Sequence, residues 1–535
     1  MNKFLSLVSV LVLLGSLSTS CAHRGERIQP CSREALTADS LPVLSSVSGP
    51  EDFVRAAIPA FPGAEGGGAF TPGGRGGKVL VVTNLADSGE GSFRWACEQE
   101  GARIVVFNVA GIIRLEAPVR INSPYITLAG QSAPGDGVCV AGATVEINTH
   151  DVIVRHMRFR RGITDRSQQD DALGGKPIGN VIIDHCSASW GLDENLSLYF
   201  YIHEGKRYPT VNLTVQNSIS SECLDCYGRG FGSTVGGVNC TFWRNLWACN
   251  IGRNPSVGYG TDFNLLNCVV FNWWKRTVDG GDETSTWNLI GNYFKPGPVT
   301  PADDAVAYRI AKPDCRRKID RKRIFARVYA DGNFVEGNKR VSDDNWQGGI
   351  QPEGRPDHEL IATVRVDEAF PMNFPQEKIL PAAKAYRQVL RASGAVLPRR
   401  DAVDERLIRF VRTGEASYTE EGWPDIPSAR RRLDSLSYRQ GIICDPAQVG
   451  GYPEYSGTPY TDTDRDGMPD AWEIRYDLDP KDPSDAMKDC NGDGYANIEK
   501  FLNGINPRRR IDWSLPANNR DPLEGRRRPL YGTDR

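Results

Sequence analysis

No sign of charge dominates this chain: 64 lysines and arginines stand against 67 aspartates and glutamates over 535 residues, a net charge of −3. That balance excludes both the basic footprint of a nucleic-acid binder and a polyacidic tail. Long apolar runs are missing too, apart from Phe4 to Leu17. At roughly fourteen residues this run falls short of the ~20 that cross a bilayer as a helix. It follows Lys3 and leads through Ser18-Thr19-Ser20 to Cys21, so residues 1–21 read as an export signal. Cys21 is a candidate lipid-attachment site, although Ser18 stands where a bacterial lipoprotein signal commonly has leucine. The choice between an outer-membrane lipid anchor and simple cleavage stays open, and the expected location is secreted, periplasmic or cell-surface. Thirteen cysteines in an exported chain permit disulfides. They include a single CxxC, Cys223 to Cys226, with no second to complete a metal site, so a local disulfide or buried thiols are expected there. The glycine-dense stretch FPGAEGGGAFTPGGRGG, 61–77, lacks the lysine and the strand-loop-helix setting of a phosphate-binding loop and reads as a tight-turning entry to a sheet.

What is present is repetition. Short β-branched or apolar runs are each followed by a polar residue at His156, His185, Asn217, Asn245, Asn267 and Asn292, spaced by 29, 32, 28, 22 and 25 residues. Units of this length, holding short strands and no regular helix, argue for a solenoid of stacked coils; propeller blades need about 40–45 residues and a fixed signature. The expected fold is all-β, a parallel β-helix over about 79–345, with the recurring asparagines forming a side-chain amide ladder inside the stack. A short helix near Ser92 to Glu98 is expected between the first two strands, Val79 to Thr83 and Ile104 to Asn108. Two flanking helices follow the solenoid: Pro381 to Ala392, and Asp401 to Thr413 with Val403, Leu407 and Val411 on one face. The whole chain divides into a signal (1–21), a linker (22–57), the β-helix (58–345), a helical extension packed on it (346–450), a calcium-binding tail (455–505) and a basic end (506–535). The arginine triplets at 430–432, 508–510 and 526–528 read as solvated faces.

Two stretches carry chemistry. Near the C-terminus, Asp462, Asp464, Asp466, Gly467, Met468, Asp470 and Glu473 occupy positions 1, 3, 5, 6, 7, 9 and 12 of an EF-hand loop, the hard-oxygen set that calcium prefers. A second copy offers Asp489, Asn491, Asp493 and Asn497 but has Lys500 at position 12, with Glu499 as a substitute. This tail resembles the calcium loops of dockerins and thrombospondin type 3 repeats, and its expected role is structural. The other stretch, Asp151 to Tyr199, sets Asp170, Asp171, Asp193 and Glu194 at strand ends and in loops, where a rigid scaffold presents functional groups. Asp184 and His185 follow a strand at the repeat position and read as structural. Among Trp243, Trp247, Trp273, Trp274 and Trp287, most are expected to pack between coils and not to stack on a ligand.

The segments FPGAEGGG, DDALGG, NVIIDHCSASWGLDENLS, NSISSEC and IGRNP together resemble a bacterial pectate lyase of polysaccharide lyase family 1, over about 58–415. The resemblance implies a right-handed parallel β-helix, a monomer, that cleaves α-1,4-galacturonan by β-elimination with Ca2+ in the cleft. It assigns calcium ligation to Asp171 and Asp193, with Asp170 and Glu194 as supporting acids because Ser197 stands where many members have a third. Arg253 of Arg253-Asn254-Pro255 matches the catalytic arginine, and Arg229, Lys275 and Arg276 are the candidates for holding substrate carboxylates. An arginine base is chemically demanding, since its pKa lies above 12; neighbouring cations would lower it. The rival readings are a polygalacturonase-like hydrolase using Asp170, Asp171 and Asp193, for which no Gly-His-Gly segment is found, and a non-catalytic calcium-stabilised glycan-binding solenoid.

Overall fold

A computed structural model describes residues 42–165, 167–319, 322–354, 358–416, 431–434 and 436–531. The expected export signal, 1–21, and the candidate lipid site Cys21 lie outside them. The described chain winds through three stacks of parallel strands. The first stack has ten, from Lys78–Val82 and Arg103–Phe107 to Arg327–Asp331, and the second has nine, from Gly111–Arg114 to Phe334–Val335. The third is interrupted. Val119–Ile121, Val145–Ile147 and Leu173–Gly175 form its first part, and Thr234–Val235, Ser256–Val257, Val278–Gly280 and Ala311–Pro313 its second. Single bridges at Leu196 and Leu198 join the two parts, and that gap is where the candidate site lies.

Unbroken β-branched runs form these strands because both faces are covered. Val152, Val154, Val181 and Ile183 point into the solenoid core, while Ile153 and Ile182 point outward under Phe61, Ala64 and Ala69. The glycine-rich entry segment makes that cover possible: a Cβ on Gly67 would lie 1.8 Å from the Asn239 carbonyl oxygen, so only glycine lets the segment lie flat on the sheet. The strand Arg103–Phe107 works the same way, with Val105 and Phe107 inward and Ile104 and Val106 outward. Met468, Ile498, Phe501 and Leu502 of the C-terminal tail cover those two outward residues.

The recurring polar residues occupy two adjacent turn positions, not one. His156, His185, Asn217 and Asn267 sit at the first position with φ of 49–53°, a left-handed conformation that asparagine tolerates. Asn245 and Asn292 sit at the second, each donating to a carbonyl of the coil before it, Val215 at 2.7 Å and Leu265 at 2.9 Å. From Asn292 the expected amide ladder does run inside the stack, to Asn333 at 2.8 Å and on to Asn345 at 2.9 Å, and a second ladder runs through Asp151, Asn180, Asn212 and Asn239, each amide donating to the preceding member at 2.7–2.8 Å. Those last four residues all have positive φ and are the second residues of their strands, a position that the periodicity of the apolar runs did not mark.

Helices cover the second stack. Ala402–Thr413 starts at Asp401, whose carboxylate accepts from the Asp404 N–H, and ends at Gly414 with φ 80°. Its Val403, Leu407 and Val411 are buried with Ile219, Leu246 and Val269 of the strands, joined by Val389 and Leu390 of Ala382–Ala392. A buried charge cluster pins the seam: Arg160 donates to Asp401 at 2.8 and 2.9 Å and to Asp404 at 2.9 Å. Trp247, Trp273 and Trp287 belong to the solenoid core, and Trp243 packs outside it on Phe374. Cys223 and Cys226 are buried thiols, and Cys490 is disulfide-bonded. No helix among the described residues is long and apolar enough to cross a membrane.

Candidate active site

Three segments meet at the gap in the third stack. Asp171 sits just ahead of the strand Leu173–Gly175, Asp193 and Glu194 follow Ser187–Ser189, and Arg253 lies just ahead of Ser256–Val257. The Glu194 N–H donates to Asp171 at 3.0 Å, which ties the two acid segments together. Burial first, then the neighbouring Glu194 and Asp193 charges, hold the Asp171 carboxyl well above the usual range. Burial and Glu194 push Asp193 up to about 6, against the pull of Arg229 and Arg253. Ser197, at the place expected for a third acid, hydrogen-bonds to Asp171 and accepts from the Thr234 N–H at 3.1 Å. Buried carboxylates crowded in this way, with the Asp193 Oδ1 lacking a hydrogen-bond partner, suit a cation.

Glu194 lines the same groove as the other two acids, but one of its carboxylate oxygens is already engaged. Its carboxylate forms an ion pair with Arg253 and accepts from the Thr234 hydroxyl. Among the described residues, the cleft acids are not one of the groups whose ligand atoms converge within 4.8 Å. Asp170 is also engaged elsewhere, bonded to Arg161 at 2.6 Å, although burial still raises its carboxyl. Asp171 and Asp193 are the pair best fitted to hold a metal: Asp170 and Glu194 are hydrogen-bonded to arginines, whereas Arg229 approaches the Asp193 Oδ1 only to 3.4 Å and makes no hydrogen bond to it. Arg253 is described here without the calcium ion whose charge was expected to lower it. Burial pulls its guanidinium down, but Glu194, helped by Asp193 and Asp279, overcomes that and holds it above the ordinary value.

The site has an acidic half and a basic half. The acidic groove, about 800 Å³, is lined by Glu146, Asp170, Asp171, Asp193 and Glu194 with Tyr199. The basic one, about 650 Å³, is lined by Lys275, Arg276, Arg309, Lys312 and Arg432, with Phe231 and Trp274. Arg253 stands between them, its guanidinium carbon 4.2 Å from the Phe231 ring centre, and those of Arg276 and Arg432 lie 5.1 and 5.0 Å from the same ring. Arg229 lies 3.4 Å from Asp193, and Arg276 is held by Asp279 at 2.6 Å. Arg432 is exposed, in keeping with the reading of its triplet as a solvated face, yet its guanidinium is tied down. It bonds to the Gly228 carbonyl, 204 residues away, a contact that no local pattern could reveal. Of the five tryptophans Trp274 lines the basic groove.

Asp184 is structural: its carboxylate accepts from Arg155, His185, Gln216 and Asn217. In the tail, Asp462, Asp464 and Asp466 converge within 4.8 Å, as do Asp466, Glu473 and Asp485. Asp470 instead accepts from the N–H and hydroxyl of Thr463, at 2.8 and 2.7 Å. In the second loop Asp489, Asn491 and Asp493 keep the expected turn, but Asn497 donates to the Asp485 carbonyl and Glu499 pairs with Arg75 at 2.9 Å. Glu499 therefore does not stand in for the missing twelfth-position acid.

No family model matches the chain. It is 34% identical over 458 residues to "Probable pectate lyase C" of Aspergillus flavus, covering 84% of this chain and 95% of the relative. It is 35% identical over 457 residues to the protein of the same name from Emericella nidulans, covering 84% and 94%. Among solved structures, the cedar pollen allergen jun a 1 aligns over 62% of this chain and 92% of its own at 16% identity, with a TM-score of 0.42. The two sequence relatives are fungal, where the motifs had suggested a bacterial family. Identity at this level, along nearly the whole length of the relatives, carries the assignment: the chain belongs to the pectate lyase family and is a polysaccharide lyase.

Proposed function

We propose that this protein is an exported lyase that cleaves α-1,4-linked galacturonan by calcium-dependent β-elimination, releasing 4,5-unsaturated oligogalacturonides. The observation that carries this reading is the position of Arg253 between a crowded carboxylate pair and a basic groove. A polyanion needs cations along its path, and Lys275, Arg276 and Arg432 line such a path. Elimination removes the proton on the carbon next to a uronate carboxylate. The C–H electron pair becomes the new double bond, the glycosidic C4–O bond breaks, and the departing oxygen takes a proton from water. Asp171 and Asp193 would hold calcium, which when bound neutralises charge on that carboxylate.

The chain's own arginines share this task by placing fixed positive charge where negative charge develops. Arg253 as described is a full cation, held so by Glu194. Its use as the base, the role that the family resemblance gives it, requires that pairing to be exchanged, whereupon burial would favour its neutral form. Glu194 then regulates the protonation of Arg253. The test is the ultraviolet absorbance of unsaturated product from polygalacturonate, with and without EDTA. Absorbance that depends on calcium is expected; reducing ends without absorbance would establish hydrolysis instead.

A further inference from the structure

The two calcium-type loops of the tail have the same backbone scaffold but opposite interiors. In the first, Asp462 accepts from the N–H groups of Asp466 and Gly467, and Asp466 accepts from Met468. In the second, Asp489 accepts from Asp493 and Gly494, and Asp493 accepts from Tyr495, the same bonds at the same positions. Twelfth in line stands Glu473 in the one and Lys500 in the other. Glu473 is 0% exposed and neither of its carboxylate oxygens has a hydrogen-bond partner; one oxygen each of Asp464, Asp466 and Asp485 is buried and unpartnered as well. Lys500 is also 0% exposed, and its ammonium donates to Asp489 at 2.7 Å and to the Tyr495 carbonyl, and lies 3.3 Å from Asp493. Those are the first, seventh and fifth positions, three of the places from which an EF-hand loop ligates its ion.

We propose that the tail takes one divalent cation and not two: the first loop binds it through Asp462, Asp464, Asp466 and Glu473, with Asp485 as a ligand from outside the loop, while Lys500 is the tethered cation of the second. Every donor of the first site is a hard oxygen, which selects a calcium-class ion. The ligand atoms of Asp462, Asp464 and Asp466 lie within 4.8 Å of one another, as do those of Asp466, Glu473 and Asp485, so Asp466 joins the two acid groups around the unpartnered Glu473 carboxylate. In the second loop the Lys500 ammonium stands among the ligand positions themselves, 2.7 Å from Asp489 and 3.3 Å from Asp493. A divalent ion cannot enter beside an ammonium bonded to its ligands. Asn497, at position nine of the second loop, donates its amide to the Asp485 carbonyl at 2.9 Å.

The inference is independent of the cleft reading, and its test does not use turnover. Calcium bound per chain is measured by equilibrium dialysis and elemental analysis on the full-length protein, alongside thermal melts with calcium or EDTA. Glu473→Gln is expected to lose one equivalent relative to the parent and to lose part of the calcium-dependent rise in Tm. Lys500→Glu, which restores an acid at position twelve, is expected to gain one equivalent. Should that variant fold poorly, Lys500→Gln serves: it should melt lower than the parent in EDTA and recover in calcium. Unchanged calcium in Glu473→Gln, or a loss of two equivalents, would overturn the single-site assignment. A Lys500→Gln variant that calcium does not rescue would overturn the tethered-cation role.

Discussion

Replacing Arg253 with lysine separates two roles that the structure allows. Lysine keeps a cation opposite Glu194 but gives up the planar fork, and with it the face-on contact made 4.2 Å from Phe231. If Arg253 only clamps a substrate carboxylate, what is lost is a stacking contact of about 0.5–1 kcal/mol, a factor of up to ~5 that appears mainly in KM. If Arg253 removes the proton, the loss is the ~10²–10⁴ that a positioned base contributes, or about 2.7–5.5 kcal/mol at 1.36 kcal/mol per decade. The two ranges do not overlap. Initial rates of ultraviolet absorbance against polygalacturonate concentration, at saturating calcium, give kcat and KM separately, and circular dichroism verifies the fold. The expected result is a kcat at least ~100-fold lower with KM little changed. A kcat within fivefold of the parent would refute the base assignment and leave Arg253 a clamp.

The remaining predictions concern the cleft metal and the frame. Asp193, raised to about 6, must lose its proton to bind calcium, so at pH 5 the calcium needed for half-maximal activity should be about tenfold above its value well above pH 6; a calcium requirement flat across pH 5–7 would remove Asp193 from the metal site. Asp401→Asn retains a helix cap but leaves Arg160 with Asp404 alone, and breaking a buried pair in this way should cost about 3–5 kcal/mol, read by denaturant unfolding. Burial opposes ionisation of Asp401, but Arg160 and Arg158 hold its carboxyl below the ordinary range, so this stability is present above about pH 4 and fades as pH falls through the depressed value; a difference that widens in acid would contradict the pairing. Gly67→Ala should lift the entry segment off the first stack, because the added carbon would meet the Asn239 carbonyl at 1.8 Å, and protease sensitivity near residues 61–77 should rise.

The solenoid was legible because its signal is local and repeated: each β-branched run and its two-residue turn recur within one coil. The flanking helices were legible for the same reason, since Asp401 and Gly414 mark both ends of one of them within the segment. In the cleft, Asp171, Asp193 and Arg253 stood out through motifs, but their electrostatics did not. Whether Glu194 is engaged by the arginine depends on where the coil carrying Arg253 stacks. Arg432, Asp485 and the ladder from Asp151 to Asn239 escaped because each acts through residues that are distant in sequence or lie outside the apolar runs. Lys500 was visible as an exception to the EF-hand pattern, yet its consequence needed the direction of its side chain.

The seam between the tail and the first coils joins the two ends of the chain. Arg75 pairs with Glu499 across 424 residues, the Asn108 side chain bonds to Tyr460 across 352, and Asn519 bonds to Glu65 across 454. Coils can stack as they emerge during synthesis, because each needs only its predecessor. The outward strip of Ile104 and Val106 must wait for Met468 and Phe501. At about 5–20 residues per second, the ~350 residues between them take roughly 20–70 s to make. For that interval an otherwise finished β-helix displays an apolar edge, so the nascent chain has a built-in clock during which a chaperone or export factor can tell it from the completed protein.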